Sequence, residues 1–374
     1  MKITFVMASG FNLSGGDRVI ATYADCLHKQ GHEVVVVSRP KAPIQLRDRA
    51  RALLKGKGWL SNKPAPSHFD TLDVPHYLLN SFRSVKDADL PDADVVVATW
   101  WETAEWVANL SPSKGAKAYF VQHHEVFDYL PKEKVEASYR LPLHKITIAQ
   151  WLVDLMRTQY DDGCVSLVPN SVDTDQFHAP PRGKQPVPMV GLTYAPIPWK
   201  GCDISLKAFA LAAQQVPGLR LIAFGSSQPT PDLPLPPNTE FFFQPPQSEL
   251  REIYARCDAW LFGSRIEGFG LPILEAMACR TPIIGTPAGA APELLAEGAG
   301  LLVNPEDPES MASAIVKLCQ FSEEQWKALS DHAYQKATDY TLEDAVMLFE
   351  AALKVAIERQ SHVPVYSSNV QTLV

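Results

Sequence analysis

The chain has 374 residues, 46% hydrophobic and 20% charged, with a formal net charge of −8. This is the balance of a globular protein with room for two buried cores, not of a disordered chain. No apolar run reaches the roughly 18–20 residues that span a bilayer, and a pI near 5.7 without an aromatic-studded basic surface argues against nucleic acid as a partner.

The apolar run from Ile3 to Ala8 is too short for the core of a secretory leader, and Gly15-Gly16 follow it. It therefore reads as a first β-strand, Ile3–Met7. A helix over 16–30 follows, with Val19, Ile20, Tyr23, Ala24 and Leu27 at helical spacing and Gly31 ending it. Val34–Val37 is a continuous apolar strand, the pattern of burial on both faces in a parallel sheet. Residues 40–68 read as a mobile loop or short helix. Strands are expected at Val95–Ala98, Ala118–Val121, Lys145–Ile148 and Val165–Val168, with helices near 102–109 and 150–160. The Pro-rich stretch 180–188 breaks the composition and suits a domain boundary.

The alternation then restarts. Strands are expected at Met189–Leu192, Leu219–Phe224, Glu240–Phe243, Ala259–Phe262, Pro282–Gly285 and Gly300–Val303. Helices are expected over 203–215, 248–256, 269–279, 307–319, 323–337 and 341–359. Two βαβ series in tandem predict an α/β protein with two doubly wound, Rossmann-like domains facing each other. The expected divisions are 1–178, 179–340, a last helix over 341–360, and a flexible tail over 361–374.

The six cysteines, at 26, 164, 202, 257, 279 and 319, form no CxxC pair. Neither a zinc framework nor disulfides are expected, and reduced thiols suit a cytoplasmic protein. Residues 1–172 hold 20 Lys+Arg and 19 Asp+Glu, or +1, which leaves −9 for the remainder. Between Arg39 and Lys63 eight basic residues face one acid, Asp48. Such a run, with Leu46, Leu53, Leu54, Trp59 and Leu60, suits peripheral contact with an anionic membrane as well as it suits a solvated loop.

Chemistry concentrates at three places. Gly15-Gly16 sit where the first strand turns into a helix, a junction that can offer backbone N–H groups to an anion. The GxGxxG fingerprint of nicotinamide enzymes is absent. In the second half, Glu267-Gly268-Phe269-Gly270-Leu271-Pro272-Ile273-Leu274-Glu275 follows the strand at Ala259–Phe262. It brings two carboxylates and two glycines to one strand-to-helix junction. There, amides suit phosphate oxygens and carboxylates suit sugar hydroxyls. Lys200-Gly201 opens another helix, where a lysine acts as a point charge on a diphosphate.

Taken together, these pieces resemble a family-4 retaining glycosyltransferase of the GT-B fold. Gly15-Gly16, Val168-Pro169-Asn170-Ser171-Val172-Asp173-Thr174-Asp175-Gln176-Phe177, Lys200-Gly201 and the Glu267-to-Glu275 block match in order, across residues 1 to about 357. The resemblance implies two domains facing across a cleft, with a C-terminal helix returning to the first. It also implies a nucleotide-diphosphate sugar as co-substrate, no metal and no further cofactor. Glu267 would contact the donor sugar beside the backbone of Gly268, Phe269, Gly270 and Leu271. Glu275 would hold the ribose and Lys200 the diphosphate. His123, or else His124, would lie against the sugar. The acceptor would be a glycan or a lipid-linked saccharide of surface polysaccharide assembly, met in the cytoplasm or at the inner face of the membrane. Three departures stand out. Gly191-Leu192-Thr193 replaces the usual Gly-Arg, with Arg265 as a substitute cation. Arg280 and Ser171 stand where glycines are usual. A non-catalytic GT-B binding protein and a nucleotide-sugar epimerase are the rival readings.

Overall fold

The computed structural model describes residues 1–54 and 66–361. Lys55, Lys57, Trp59, Leu60 and Lys63 of the basic run, and the tail from 362, lie outside the described residues. The chain forms two compact units. The first comprises Met1–Thr147, Val153–Val168 and the chain from Val346 to the end of the last helix. The second comprises Ile148–Leu152 and Pro169–Ala345.

The first unit holds strands β1 (Lys2–Met7), β2 (Glu33–Ser38), β3 (His76–Leu78), β4 (Val95–Ala98), β5 (Ala116–Val121), β6 (His144–Thr147) and β7 (Val165–Leu167). Its sheet is parallel throughout, in the order β3-β2-β1-β4-β5-β6-β7. Helices α1 (Gly15–Lys29), α2 (Leu46–Leu54), α3 (Trp101–Ala108), α4 (Lys132–Tyr139) and α5 (Gln150–Tyr160) follow in chain order, the first turn of α5 counting with the second unit. The Val-rich strands are buried on both faces, as their unbroken apolar runs require: all four residues of β4 are inaccessible.

The second unit repeats the plan with β8 (Met189–Thr193), β9 (Arg220–Gly225), β10 (Glu240–Phe243), β11 (Ala259–Phe262), β12 (Ile283–Gly285) and β13 (Leu301–Leu302). The order is β10-β9-β8-β11-β12-β13, again all parallel. Helices α6 (Cys202–Ala213), α7 (Leu250–Ala255), α8 (Leu271–Ala278), α9 (Ala291–Leu294), α10 (Pro308–Gln320) and α11 (Glu323–Thr338) complete it. Val190, Leu192, Ala208, Leu261, Met311 and Trp326 are among its core. Helix α12 (Leu342–Ser361) follows in sequence but packs from Val346 on within the first unit. There Phe349 stacks on Tyr23 at 4.4 Å and on Phe5 at 6.0 Å.

Every expected strand and helix forms, with ends shifted by no more than two residues. Three elements escape the periodicity. β3 is a three-residue edge strand with Tyr77 and Leu78 exposed, so it carries no apolar run. α4 is polar, with little separation of faces, and buries only Val135, Ser138 and Tyr139. α9 has four residues.

The chain passes to the second unit at Pro169, ten residues before the expected boundary at 178. The Pro-rich stretch is itself pinned to that unit. Arg182 donates to the Cys257 carbonyl (2.5 Å) and Thr281 Oγ1 (2.9 Å) and stacks on Trp326. Arg280, where glycine is usual, has φ +58, a left-handed conformation that side chains resist. Its guanidinium is anchored on Asp331, on the Ala179 carbonyl and over the Tyr334 ring at 4.0 Å. No helix among the described residues is long and apolar enough to cross a membrane.

Candidate active site

In an open parallel sheet, ligands gather where strand order reverses, at the carboxyl ends of the strands. In the second unit that point lies between β8 and β11. β8 runs into the turn Pro198–Lys200, and β11 runs into the loop carrying Glu267. Two residues 67 positions apart thus become neighbours: Lys200 Nζ donates to Glu267 Oε1 at 2.8 Å and Oε2 at 2.9 Å. The Lys200 side chain stays 39% exposed, whereas that of Glu267 is 11% exposed. Gly201 makes this possible. It takes φ +57, and a Cβ there would lie 1.7 Å from the Gly263 carbonyl, so the two loops touch through backbone.

Behind Glu267 stand two hydroxyls, one on its carboxylate and one on the backbone of the loop. Ser264 Oγ donates to Glu267 Oε1 (2.8 Å), and Thr286 Oγ1 donates to the Ser264 carbonyl (2.5 Å). The same loop is pressed from the other side by Gly289, at φ +61. A Cβ there would lie 2.5 Å from the Phe269 carbonyl and 2.9 Å from Glu267 Cβ. The loop runs through Gly268 and Phe269 to Gly270, the N-cap of α8, with Leu271 and Pro272 as its first residues. That helix end carries positive potential, although Pro272 has no N–H and the Ile273 N–H donates to the Gly270 carbonyl (2.9 Å).

Glu275 lies one turn further along α8. The sequence left open whether it faces solvent; it is 5% exposed and points inward. Its Oε2 accepts a hydrogen bond from the Tyr254 hydroxyl at 2.8 Å.

Arg265 is otherwise engaged. Nη1 donates to Asp203 Oδ1 (2.8 Å) and the Pro198 carbonyl (2.5 Å), Nη2 to Asp203 Oδ2 (3.0 Å) and Glu306 Oε2 (2.9 Å), and Nε to Glu306 Oε1 (2.5 Å). A guanidinium has five N–H donors, and these bonds take all five. A diphosphate would have to displace Asp203 or Glu306 to reach it.

In the first unit the corresponding switch lies between β1 and β4. Gly15 and Gly16 form the first turn of α1 after the N-cap Ser14, whose Oγ accepts from Asp17 N–H at 3.1 Å. Neither glycine takes the left-handed backbone, so no tight turn accounts for them. Burial raises the Asp17 carboxyl to about 6, against the lowering effect of Ser14 and Asn12.

His123 and His124 follow β5. His124 Nε2 lies 2.7 Å from the Tyr160 hydroxyl, and burial lowers its pKa. The His123 ring packs on Phe127 at 4.9 Å, with Nδ1 2.8 Å from the His124 carbonyl. The turn is held from beneath by Glu125, whose pKa burial pushes well up. Glu125 Oε2 accepts from Trp101 N–H (2.8 Å), and the Glu125 N–H donates to the Tyr139 hydroxyl (2.8 Å). Ser264, Thr286, Tyr254, Glu125 and Tyr139 went unnoticed in the sequence. No local spacing marks Thr286, Tyr254, Glu125 and Tyr139, which meet their partners through strand order or helix packing; Ser264 stands only three residues before Glu267, on the same loop.

Residues 13–176 match the model of Glycosyltransferase Family 4, and residues 187–320 that of Glycosyl transferases group 1. A D-inositol 3-phosphate glycosyltransferase from Acidothermus cellulolyticus is 29% identical over 246 residues, 59% of this chain and 54% of that one. The O-antigen chain mannosyltransferase RfbU from Salmonella typhimurium is 29% identical over 184 residues, 47% and 51% of the two chains. The chain thus spans about half the length of these curated relatives. Among solved structures, sucrose-phosphate synthase from Thermosynechococcus elongatus superposes with a TM-score of 0.69 at 15% identity, covering 96% of this chain and 100% of that one. HepE from Anabaena in complex with UDP superposes with a TM-score of 0.68 at 17% identity, covering 96% and 100%. At these identities the likeness is one of fold. With both halves matched in order and the two parallel sheets in place, the chain belongs to the family-4, group 1 glycosyltransferases and has the GT-B fold.

Proposed function

We propose that the protein transfers a hexosyl group from a nucleoside diphosphate sugar to a glycan or lipid-linked acceptor, with retention at the anomeric carbon and without a metal ion. The observation that carries this reading is the Lys200–Glu267 pair beside the N-terminus of α8, with Glu275 buried on the same helix. Lys200 and the amides of Gly268 to Leu271 stabilise the charge that grows on the departing diphosphate, the largest electrostatic demand of such a reaction. They supply the positive charge that a metal would otherwise bring. Glu267 lies against the donor sugar and Glu275 accepts from the ribose hydroxyls. His123 is assigned to the sugar. Gly15 and Gly16 leave a helix end bare of side chains, so that a ligand can approach the backbone.

The acceptor class rests on the relatives, which include O-antigen mannosyltransferases and D-inositol 3-phosphate glycosyltransferases. A role in surface polysaccharide assembly in the cytoplasm follows from that reading. Helix α2 exposes Leu46, Leu53 and Leu54 alongside Arg47 and Arg51, with Arg49 half-buried between them. We assign it to peripheral contact with the anionic inner face of a membrane. The test is a panel of nucleotide sugars, scored first by thermal stabilisation and then by nucleoside diphosphate release with saccharide acceptors. One donor should stabilise the protein and be consumed equally well in EDTA, and NMR of the product should show the donor's anomeric configuration. If no nucleotide or nucleotide sugar shifts the melting temperature and none is consumed, the proposal is wrong.

A further inference from the structure

Tyr254, near the end of α7, has no exposed surface. Its ring is fenced by Trp260 of β11 at 4.5 Å, Phe224 of β9 at 5.6 Å and Phe177 at 6.3 Å. Its carbonyl accepts from Thr281 Oγ1 at 2.7 Å. Both ring and backbone are therefore fixed, and a tyrosine so held aims its hydroxyl in one direction. That direction is Glu275 Oε2, at 2.8 Å. A glutamate head is the opposite case, because its last torsion is broad and leaves the carboxylate free to turn unless something holds it.

We propose that Tyr254 is a positioning residue that sets the carboxylate plane of Glu275, and so makes the donor site selective for a ribose over a sugar lacking the 2′ and 3′ hydroxyls. The inference rests on the assignment of Glu275 to the ribose made above. Helix α8 fixes the backbone of Glu275 and Tyr254 fixes its head, so the acceptor lone pairs are set before the nucleotide arrives. Preorganised acceptors discriminate strongly, because an analogue without the hydroxyls leaves a buried polar group unpaired. A tyrosine serving only the core would be interchangeable with phenylalanine at this position as far as ligands are concerned.

The experiment measures the dissociation constants of UDP and GDP and of their 2′,3′-dideoxy forms by calorimetry. The wild-type protein should favour the ribonucleotide by on the order of a hundredfold. In Tyr254→Phe that ratio should fall at least about fivefold, with dideoxynucleotide affinity within about twofold of wild type. The donor KM should rise while kcat holds within about twofold, as loss of uniform binding requires. Glu275→Gln should bring the ratio close to one. If Glu275→Gln keeps the wild-type ratio, the ribose assignment fails and this inference with it. If Glu275→Gln loses the ratio and Tyr254→Phe keeps it, the ribose assignment stands and Tyr254 is merely packing. Should Tyr254→Phe fail to fold, 4-aminophenylalanine and 4-methylphenylalanine at 254 give the same comparison, being alike in size and different in having a donor. Selectivity in the amino but not the methyl protein supports the inference, and equal selectivity in both overturns it.

Discussion

Replacing Lys200 by alanine removes the cation seated on Glu267. Its Nζ spans both carboxylate oxygens, at 2.8 and 2.9 Å. A hydrogen bond to a charged group contributes about 1.5–3 kcal/mol. At about 1.4 kcal/mol per factor of ten, loss of the same contact to a diphosphate lowers kcat/KM by roughly tenfold to a hundredfold. The carboxylate left behind, 11% exposed, then repels the incoming phosphates instead of balancing them. Stability should change little. With Lys200 39% exposed, the ion pair itself contributes about 0.2–1 kcal/mol after screening by water. Steady-state release of nucleoside diphosphate and thermal melts read the two effects separately. Arg265→Ala is the control with the opposite signature. That guanidinium joins Asp203, Glu306 and the Pro198 carbonyl, so its loss should lower the melting temperature while the donor KM stays within about threefold. If Lys200→Ala keeps kcat and donor KM within twofold of wild type while Arg265→Ala loses donor binding, the diphosphate belongs to Arg265 and the argument fails.

Two further outcomes are expected. Gly289→Ala forces a methyl group to within 2.5 Å of the Phe269 carbonyl at φ +61, which costs about 1–3 kcal/mol. The melting temperature should fall by about 2–10 °C, and kcat/KM should fall with it, because Glu267 rides on the displaced loop. Unchanged activity in a folded variant would separate the loop from the chemistry. His144 is held neutral, its pKa lowered to about 4 first by burial and then by Arg359, whose Nη1 donates to Nδ1 at 2.9 Å. The unfolded chain takes up a proton near pH 6.5 that the folded chain refuses until about pH 4. The stabilisation is therefore complete above about pH 6.5 and drains away as the pH falls towards 4. Denaturation midpoints of His144→Gln should fall less across that window than those of the wild type, and equal slopes would show that His144 does not govern acid sensitivity.

By itself the sequence determined the ladder of elements. Runs such as Val34–Val37 and Val95–Ala98, each followed by a helical period, specify buried parallel strands and crossover helices, because side-chain periodicity is local. It also marked the Glu267-to-Glu275 block, Lys200-Gly201 and the odd Arg280, whose positive φ shows why a glycine is usual there. It said little of what each group touches. Only the adjacency of β8 and β11 brings Lys200 onto Glu267, and only the packing of α7 on α8 aims Tyr254 at Glu275. Arg265 reads as a spare cation in the sequence, yet Asp203 and Glu306, 62 and 41 residues away, occupy it. A short edge strand such as β3 and a polar helix such as α4 take their form from neighbours. Periodicity records which side of an element is buried; which residues meet across the sheet depends on strand order, and that is settled by contacts between residues far apart in the chain.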